Sequence, residues 1–136
     1  MVHLLLFIAT ECAFLFERGR FRFTDSGVAT SFGGDAYVVL ESNETRLRFV
    51  RDRSQMMCDF QPIRGGHAGD WFGLGPLRGV LLGDQGGSEV LDARWAAFLG
   101  SALDDLEASF STAAGRQALV RELKRQERRR AQDLFG

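Results

Sequence analysis

Apolar residues in the segment 2–16, VHLLLFIATECAFLF, recur at Leu4, Leu5, Ile8, Cys12, Leu15 and Phe16, and this helical spacing predicts a first helix laid on a core. Leu6, Phe7 and Phe14 fall outside that stripe, which leaves the helix apolar surface for a partner. The segment has no basic leader and no small-residue cleavage site. It is shorter than the ~20 residues of a membrane span and carries Glu11 in its middle, so it reads as neither a signal nor an anchor.

After Gly19 the period changes to two. Arg20-Phe21-Arg22-Phe23 alternates as a strand does; Asp25-Ser26-Gly27 breaks the pattern and Val28–Phe32 resumes it briefly. Gly33-Gly34-Asp35 signals a turn. Three further strands follow at 36–40, 45–50 and 55–60, separated by Asn43-Glu44 and Asp52-Arg53-Ser54. Short strands joined by short polar turns predict an antiparallel meander with one buried face, and the alternation points Leu47, Phe49, Met56, Cys58 and Phe60 inward. Residues 64–70 form a loop. Pro76 suits the first position of a short helix reaching Leu82, and Gly83 suits its stop. The spacing of Leu91, Trp95, Phe98, Leu99, Ala102, Leu103, Leu106 and Phe110 holds one helical face for five turns, and a last helix runs from about Arg116 to Leu134.

The expected fold is therefore α+β: an N-terminal helix, a meander of about four strands, then three helices packed on one face of the sheet. It forms one domain over 1–136, with helix and sheet in 1–63, a loop, short helix and glycine-rich hinge in 64–88, and a helical half in 89–136. With 45% hydrophobic and 26% charged residues, the 136-residue chain has ordinary globular composition. Cys12 and Cys58 stand far apart with no Cys-x-x-Cys or Cys/His grouping, which argues against zinc and for reduced core thiols in a cytoplasmic protein. Sixteen of the 17 basic residues are arginine, a bias that fits a GC-rich bacterial genome.

Charge changes the picture at the C-terminus. Residues 116–136 hold seven basic and three acidic side chains, a net +4, while residues 1–115 hold ten and fifteen, a net −5. Arg121, Lys124, Arg125 and Arg128 share one side of the last helix. Such a row contacts phosphates, lies solvated and braced by pairs such as Glu122–Arg125, or docks on an acidic surface, in the 84–107 region of the same chain or of another. Leu119, Leu123, Leu134 and Phe135 give the helix an apolar seam that favours docking on protein. Arg46, Arg48, Arg51 and Arg53 form a second basic group; if the strand bearing Arg20 and Arg22 neighboured theirs, Arg20, Arg22, Arg46 and Arg48 would make one basic sheet face.

Catalytic chemistry finds little support. Asp52-Arg53 has no second carboxylate at a fixing distance. Residues 73–79, GLGPLRG, lack the spacing and the Lys-Ser/Thr of a phosphate loop. His67 with Asp70 supplies two ligands where a metal site needs more. No cofactor, metal or nucleophile site is expected, and the chain does not read as an enzyme.

The stretches Leu47-Arg48-Phe49-Val50-Arg51-Asp52-Arg53, Asp70-Trp71-Phe72 and Leu106-Glu107-Ala108-Ser109-Phe110 together resemble a group of small bacterial proteins with a helix–meander–helices order. Their layout is similar to that of immunity proteins and adaptors encoded beside toxin systems; the glycine-rich 83–87 segment departs from it. The resemblance implies a noncatalytic protein that binds a toxin or a larger complex, with no catalytic residue to carry over. The candidate partner contacts are Arg46, Arg48, Arg51, Arg53, Arg121, Lys124, Arg125 and Arg128, and the partner is a protein, a second copy or, as the alternative, nucleic acid.

Overall fold

The computed structural model describes residues 1–17, 19–29, 35–65 and 69–135. The elements run α1 (Val2–Glu11), α2 (Phe14–Glu17), β1 (Arg22–Ala29), β2 (Asp35–Glu41), β3 (Thr45–Asp52), β4 (Gln55–Pro62), β5 (Phe72–Gly73), α3 (Leu74–Leu82), α4 (Ala93–Phe110) and α5 (Ala113–Phe135). The strands form one antiparallel sheet in the order β1-β2-β3-β4-β5. The α+β class and the meander are as expected, with a fifth, two-residue strand added at the far edge. Of the expected turn at 33–35, Gly33 and Gly34 lie outside the described residues, as do His67 and the end of the expected strand at 30–32.

Alternation decides the faces of the sheet. Leu47 and Phe49 on β3 pair with Leu40 and Val38 on β2 and with Phe60 and Cys58 on β4, and all six side chains are buried on the side that the helices cover. Phe110 of α4 packs on Phe60 at 6.2 Å between ring centroids, and Phe72 packs on it at 6.0 Å. Every residue of the α4 stripe from Leu91 to Phe110 is buried. Asp92 caps α4 by accepting the Trp95 N–H at 2.9 Å.

Two turns join the central strands, one held by side chains and one by backbone geometry. At the β2–β3 turn Ser42 Oγ accepts the N–H groups of Glu44 (3.2 Å) and Thr45 (3.0 Å), and Ser42 Oγ and Thr45 Oγ1 both donate to Glu107 Oε2, at 3.0 and 2.6 Å. This carboxylate ties α4 to the sheet through two buried hydroxyls. At the β3–β4 turn Arg53 and Ser54 both take positive φ, 51° and 71°, the two-residue geometry that matches strand twist.

Four expectations are corrected. Asp25-Ser26-Gly27 does not break the first strand. A register shift between Phe23 and Asp25 absorbs the irregularity as a bulge and β1 continues to Ala29. The first helix is interrupted after Glu11, and Leu5 and Phe16 are exposed rather than buried: α1 turns Leu4 and Ile8, with Phe7 at the margin, to the core, and α2 turns Leu15. Helix α3 begins at Leu74, two residues before Pro76. Helix α5 begins at Ala113, where Thr112 Oγ1 accepts the Gly115 N–H at 3.0 Å.

Leu47 has no exposed surface, so Leu47→Ala is expected to lower stability by about 2–5 kcal/mol in urea unfolding. A loss within about 0.5 kcal/mol, typical of a surface substitution, would contradict the register.

Candidate functional site

Arg121, Arg128 and Arg129, which have no ion-pair partner among the described residues, gather on one side of α5. The opposite side is fastened to the body. Leu119, Val120 and Leu123 are buried against the other helices, and Arg116 Nη1 donates to the Phe110 carbonyl at 3.0 Å. Gln85 Nε2 donates to the carbonyl (2.8 Å) and side chain (3.0 Å) of Gln126. Arg130 pairs with Glu89 at 3.3 Å and donates to the Gly87 carbonyl at 3.0 Å.

Glu89 explains a motif set aside on sequence grounds. Its Oε1 accepts the Gly75 N–H at the N-terminus of α3, where the helix dipole favours an anion. A Cβ at Gly73 would stand 2.4 Å from that oxygen, and one at Gly75 would collide with both Glu89 and Arg130. Gly73 and Gly75 therefore make room for an internal carboxylate at the position a phosphate would take, and Gly79 makes room for Gln126.

With that side fixed, Arg121, Lys124, Arg125, Arg128 and Arg129 occupy the exposed arc of α5. Lys124 pairs with Asp70 at 3.4 Å and Arg125 with Glu122 at 3.0 Å, both in solvent, where such pairs contribute little. Arg121, Arg128 and Arg129 have no ion-pair partner among the described residues. Burial raises the Glu127 carboxyl above its ordinary value, with Asp70 and Glu89 adding to the shift and Lys124 opposing it. The structure thus gathers the four α5 residues that the sequence singled out, adds Arg129, and turns Arg116 and Arg130 inward.

The strand arginines fare differently. Sheet order sets β2 between β1 and β3, so the four-arginine face does not form. Arg20 precedes β1 and pairs with Asp104 of α4 at 3.0 Å. Arg46 and Arg48 do point to the face away from the helices, but they are half-buried and committed. Arg46 binds Glu41 at 3.0 Å and Gln61, while Arg48 binds Asp59 and lies 4.2 Å over the Trp71 ring. Burial alone would raise the Glu41 carboxyl; hydrogen bonds from Thr24 and Arg46 and the charges of Arg46 and Arg22 outweigh it and hold it below the usual range. Arg51 lies in register with Ala36 and Met56 on the helix-covered side, and Arg53 sits in the turn, its N–H donating to Asp35 Oδ1 at 3.1 Å. Arg22, Arg46 and Arg48 are balanced by Asp25, Glu41 and Asp59 on the same face.

Among the described residues no three His, Cys, Asp or Glu side chains gather as a metal site, and no helix is long and apolar enough to cross a membrane. Burial pushes the Cys12 thiol up to about 12, with the Glu11 charge adding to it, and pushes the Cys58 thiol well above its ordinary value. Both thiols are in the form that reacts slowly.

A second surface extends the apolar one that the sequence left over on the first helix: Leu6 is exposed there, while Phe7 and Phe14 pack against the core. Of the twelve exposed large hydrophobics among the described residues, six lie on α1, α2 and β1: Val2, Leu5, Leu6, Phe16, Phe23 and Val28. Phe16 stacks on Phe23 at 5.7 Å, and Met1, Leu5, Phe23 and Val38 line a groove of about 540 Å³ between α1 and β1. The apolar residues left over on the first helix were the signal available for it.

Two outcomes test this account. Arg48→Glu sets a second carboxylate beside Asp59 and is expected to cost about 1–3 kcal/mol, whereas Arg129→Glu changes stability by no more than about 0.5 kcal/mol. For the thiols, the folded state keeps protons that the unfolded state releases above its ordinary thiol value of 9.0. Stability from this source is therefore complete below about pH 9 and declines as pH rises towards 12, and alkylation of both cysteines at pH 8 is expected only on unfolding. Denaturant midpoints across that range and mass spectrometry of the alkylated protein check both statements.

No family model, curated protein or solved structure matches this chain.

Proposed function

We propose that this chain is a noncatalytic protein-interaction module, of the immunity or adaptor kind, acting in the cytoplasm of a bacterium and masking or recruiting a partner through the exposed side of α5. The observation that carries the reading is the row Arg121, Arg125, Arg128 and Arg129 on a helix whose other side is pinned by Leu119, Leu123 and the Arg130–Glu89 pair. Guanidinium groups on a fixed backbone make bidentate bonds to carboxylates with little ordering of the main chain. The partner that fits is an acidic protein surface, and complementary charge would act mainly on encounter rate and choice of partner.

Nucleic acid is the second reading, favoured by the unpaired Arg121, Arg128 and Arg129. Three features weigh against it. Glu122, Glu127 and Asp70 stand among the basic groups, α5 presents no aromatic residue beside them for base stacking, and residues 1–115 carry a net −5 that repels phosphate.

The two readings separate in solution. Affinity capture from the source organism with the wild-type chain, and with a variant carrying Arg121→Glu, Arg125→Glu and Arg128→Glu, is expected to recover a partner that the variant loses. Binding of that partner should weaken with salt, and replacing its contact carboxylates with lysine should restore capture by the variant. A random DNA duplex followed by fluorescence anisotropy is expected to stay unbound even at low salt. Four phosphate contacts would give a log–log salt slope of roughly −3.6, and tight binding with that slope, abolished in the variant, would overturn the protein reading.

A further inference from the structure

The helical layer thins towards β1, which it meets through Phe16 of α2 stacked on Phe23. Helix α1 contacts β2 and β3, α4 contacts β3, and α3 contacts β4 and β5. Residues 22–26 and Val28 of β1 are all exposed, and among the described residues no strand pairs with the outer edge of β1. Native edges of this length are usually blunted by lysine, proline or inward charges. Here β1 reads Arg22-Phe23-Thr24-Asp25-Ser26-Gly27-Val28-Ala29, and its protection is the bulge together with Asp25, whose Oδ1 accepts the Ser26 N–H at 2.8 Å; the rest of the row has no such cover among the described residues.

That bulge also sorts the side chains. Phe23 and Val28 are five residues apart and would face opposite sides of a regular strand. The shift at Phe23/Asp25 sets both on the helix-covered side, opposite Leu40 and Ala36. They stand 53% and 55% exposed beside the groove under α1, whose open flank shows Val2 at 75% and Leu6 at 60% exposure. An unpaired backbone row and an apolar flank thus lie along one edge.

We infer that this edge is a homodimer interface: β1 pairs antiparallel with β1 of a second copy across a two-fold axis, joining two five-stranded sheets into one of ten, with the α1 flanks closing over the junction. The occupant is a second copy because the edge complements itself. Each β1 supplies the row of N–H and C=O groups that the other lacks. The symmetric register that keeps every pair on one face sets Ser26 opposite the partner subunit's Ser26 and Asp25 opposite the partner subunit's Gly27; with Thr24 bulged out of each strand, Phe23 then falls opposite the partner subunit's Val28, twice by symmetry, and Arg22 opposite the partner subunit's Ala29. No like charges meet in that register, whereas moving the two-fold axis from Ser26 to Asp25 would bring Asp25 against itself. The area is also of the right order. The exposed parts of the six apolar side chains amount to roughly 500 Å² per copy, and eight residues of backbone add to it, against about 800 Å² per partner in a standard interface.

The interface is tested on the full chain by sedimentation velocity over a concentration series, with amide hydrogen exchange of residues 22–29. The wild type is expected to reach twice 15.1 kDa, with β1 amides protected at high concentration and exchanging freely on dilution. Phe23→Glu with Val28→Glu, both at surface positions, is expected to give 15.1 kDa at every concentration with an unchanged circular dichroism spectrum. Leu6→Asp on α1 is a second route to the monomer that leaves β1 intact. Arg128→Glu on α5 is expected to leave the dimer unaltered. A wild type that stays monomeric throughout would overturn the inference. So would a dimer whose β1 amides gain no protection, or one that dissociates on Arg128→Glu and survives the β1 pair.

Discussion

Everything in this fold is arranged around the seam where the apolar stripe of α4 meets the inner face of β3 and β4. Phe110 against Phe60, with Leu47, Phe49 and Leu99 completely enclosed, makes the driest part of the molecule, where removal of apolar surface from water contributes most. Once α4 is centred there, α1 can lie on one side of it, over β2 and β3, and α3 on the other, over β4 and β5. Two consequences follow. The far face of the sheet stays open and must satisfy its own charges, which it does through the Arg46–Glu41 and Arg48–Asp59 pairs. And β1 is left at the margin of the helical layer, where Phe16 of α2 stacks on Phe23 yet leaves it half exposed.

The position of α5 depends on a different kind of contact. Helix on helix, it has only the short seam of Leu119, Val120 and Leu123. Its C-terminal half is held by polar groups instead: Gln126 on Gln85, and Arg130 on Glu89, whose carboxylate also closes the N-terminus of α3. A charged pair that is partly desolvated holds a defined geometry better than it adds stability. The rotational setting of α5, and hence which arginines face water, is therefore set by a carboxylate in the loop before α4 and by two glycines that leave it room.

How far the sequence discloses this depends on the range of the interaction concerned. The α4 stripe and the inward residues of β3 and β4 follow from periodicity, and the structure buries the stripe and Leu47, Phe49, Cys58 and Phe60; Met56 is partly covered at the margin. The exposed row on α5 is legible for the same reason, since helical spacing alone brings Arg121, Lys124, Arg125 and Arg128 together. Pairing partners are not legible in this way. Asp25-Ser26-Gly27 has the composition of a turn, and only its register against Val39, Val38 and Tyr37 shows that the chain bulges and continues. Arg130 resembles its neighbours in sequence and differs from them because Glu89, far back along the chain, reaches it. Arg20 and Arg22 share the alternation of Arg46 and Arg48 in sequence, but β2, carrying Glu41, stands between their strands.

The two surfaces that remain are governed by opposite physics, and this gives them different roles. The arginine row on α5 loses its attraction over roughly a Debye length, about 8 Å at physiological salt, so on the proposed function it would select partners by charge and respond to ionic strength. The β1 edge offers backbone hydrogen bonds and apolar area, whose contribution changes little with moderate salt. A dimer built on that edge would present two α5 rows on one rigid body. A partner carrying two acidic sites at a matching span would then gain from effective concentration as well as from contact, and affinity would depend on the geometry of the dimer rather than on any new residue in the row. On this account, breaking the β1 pairing would weaken capture of such a partner without altering a single arginine that touches it.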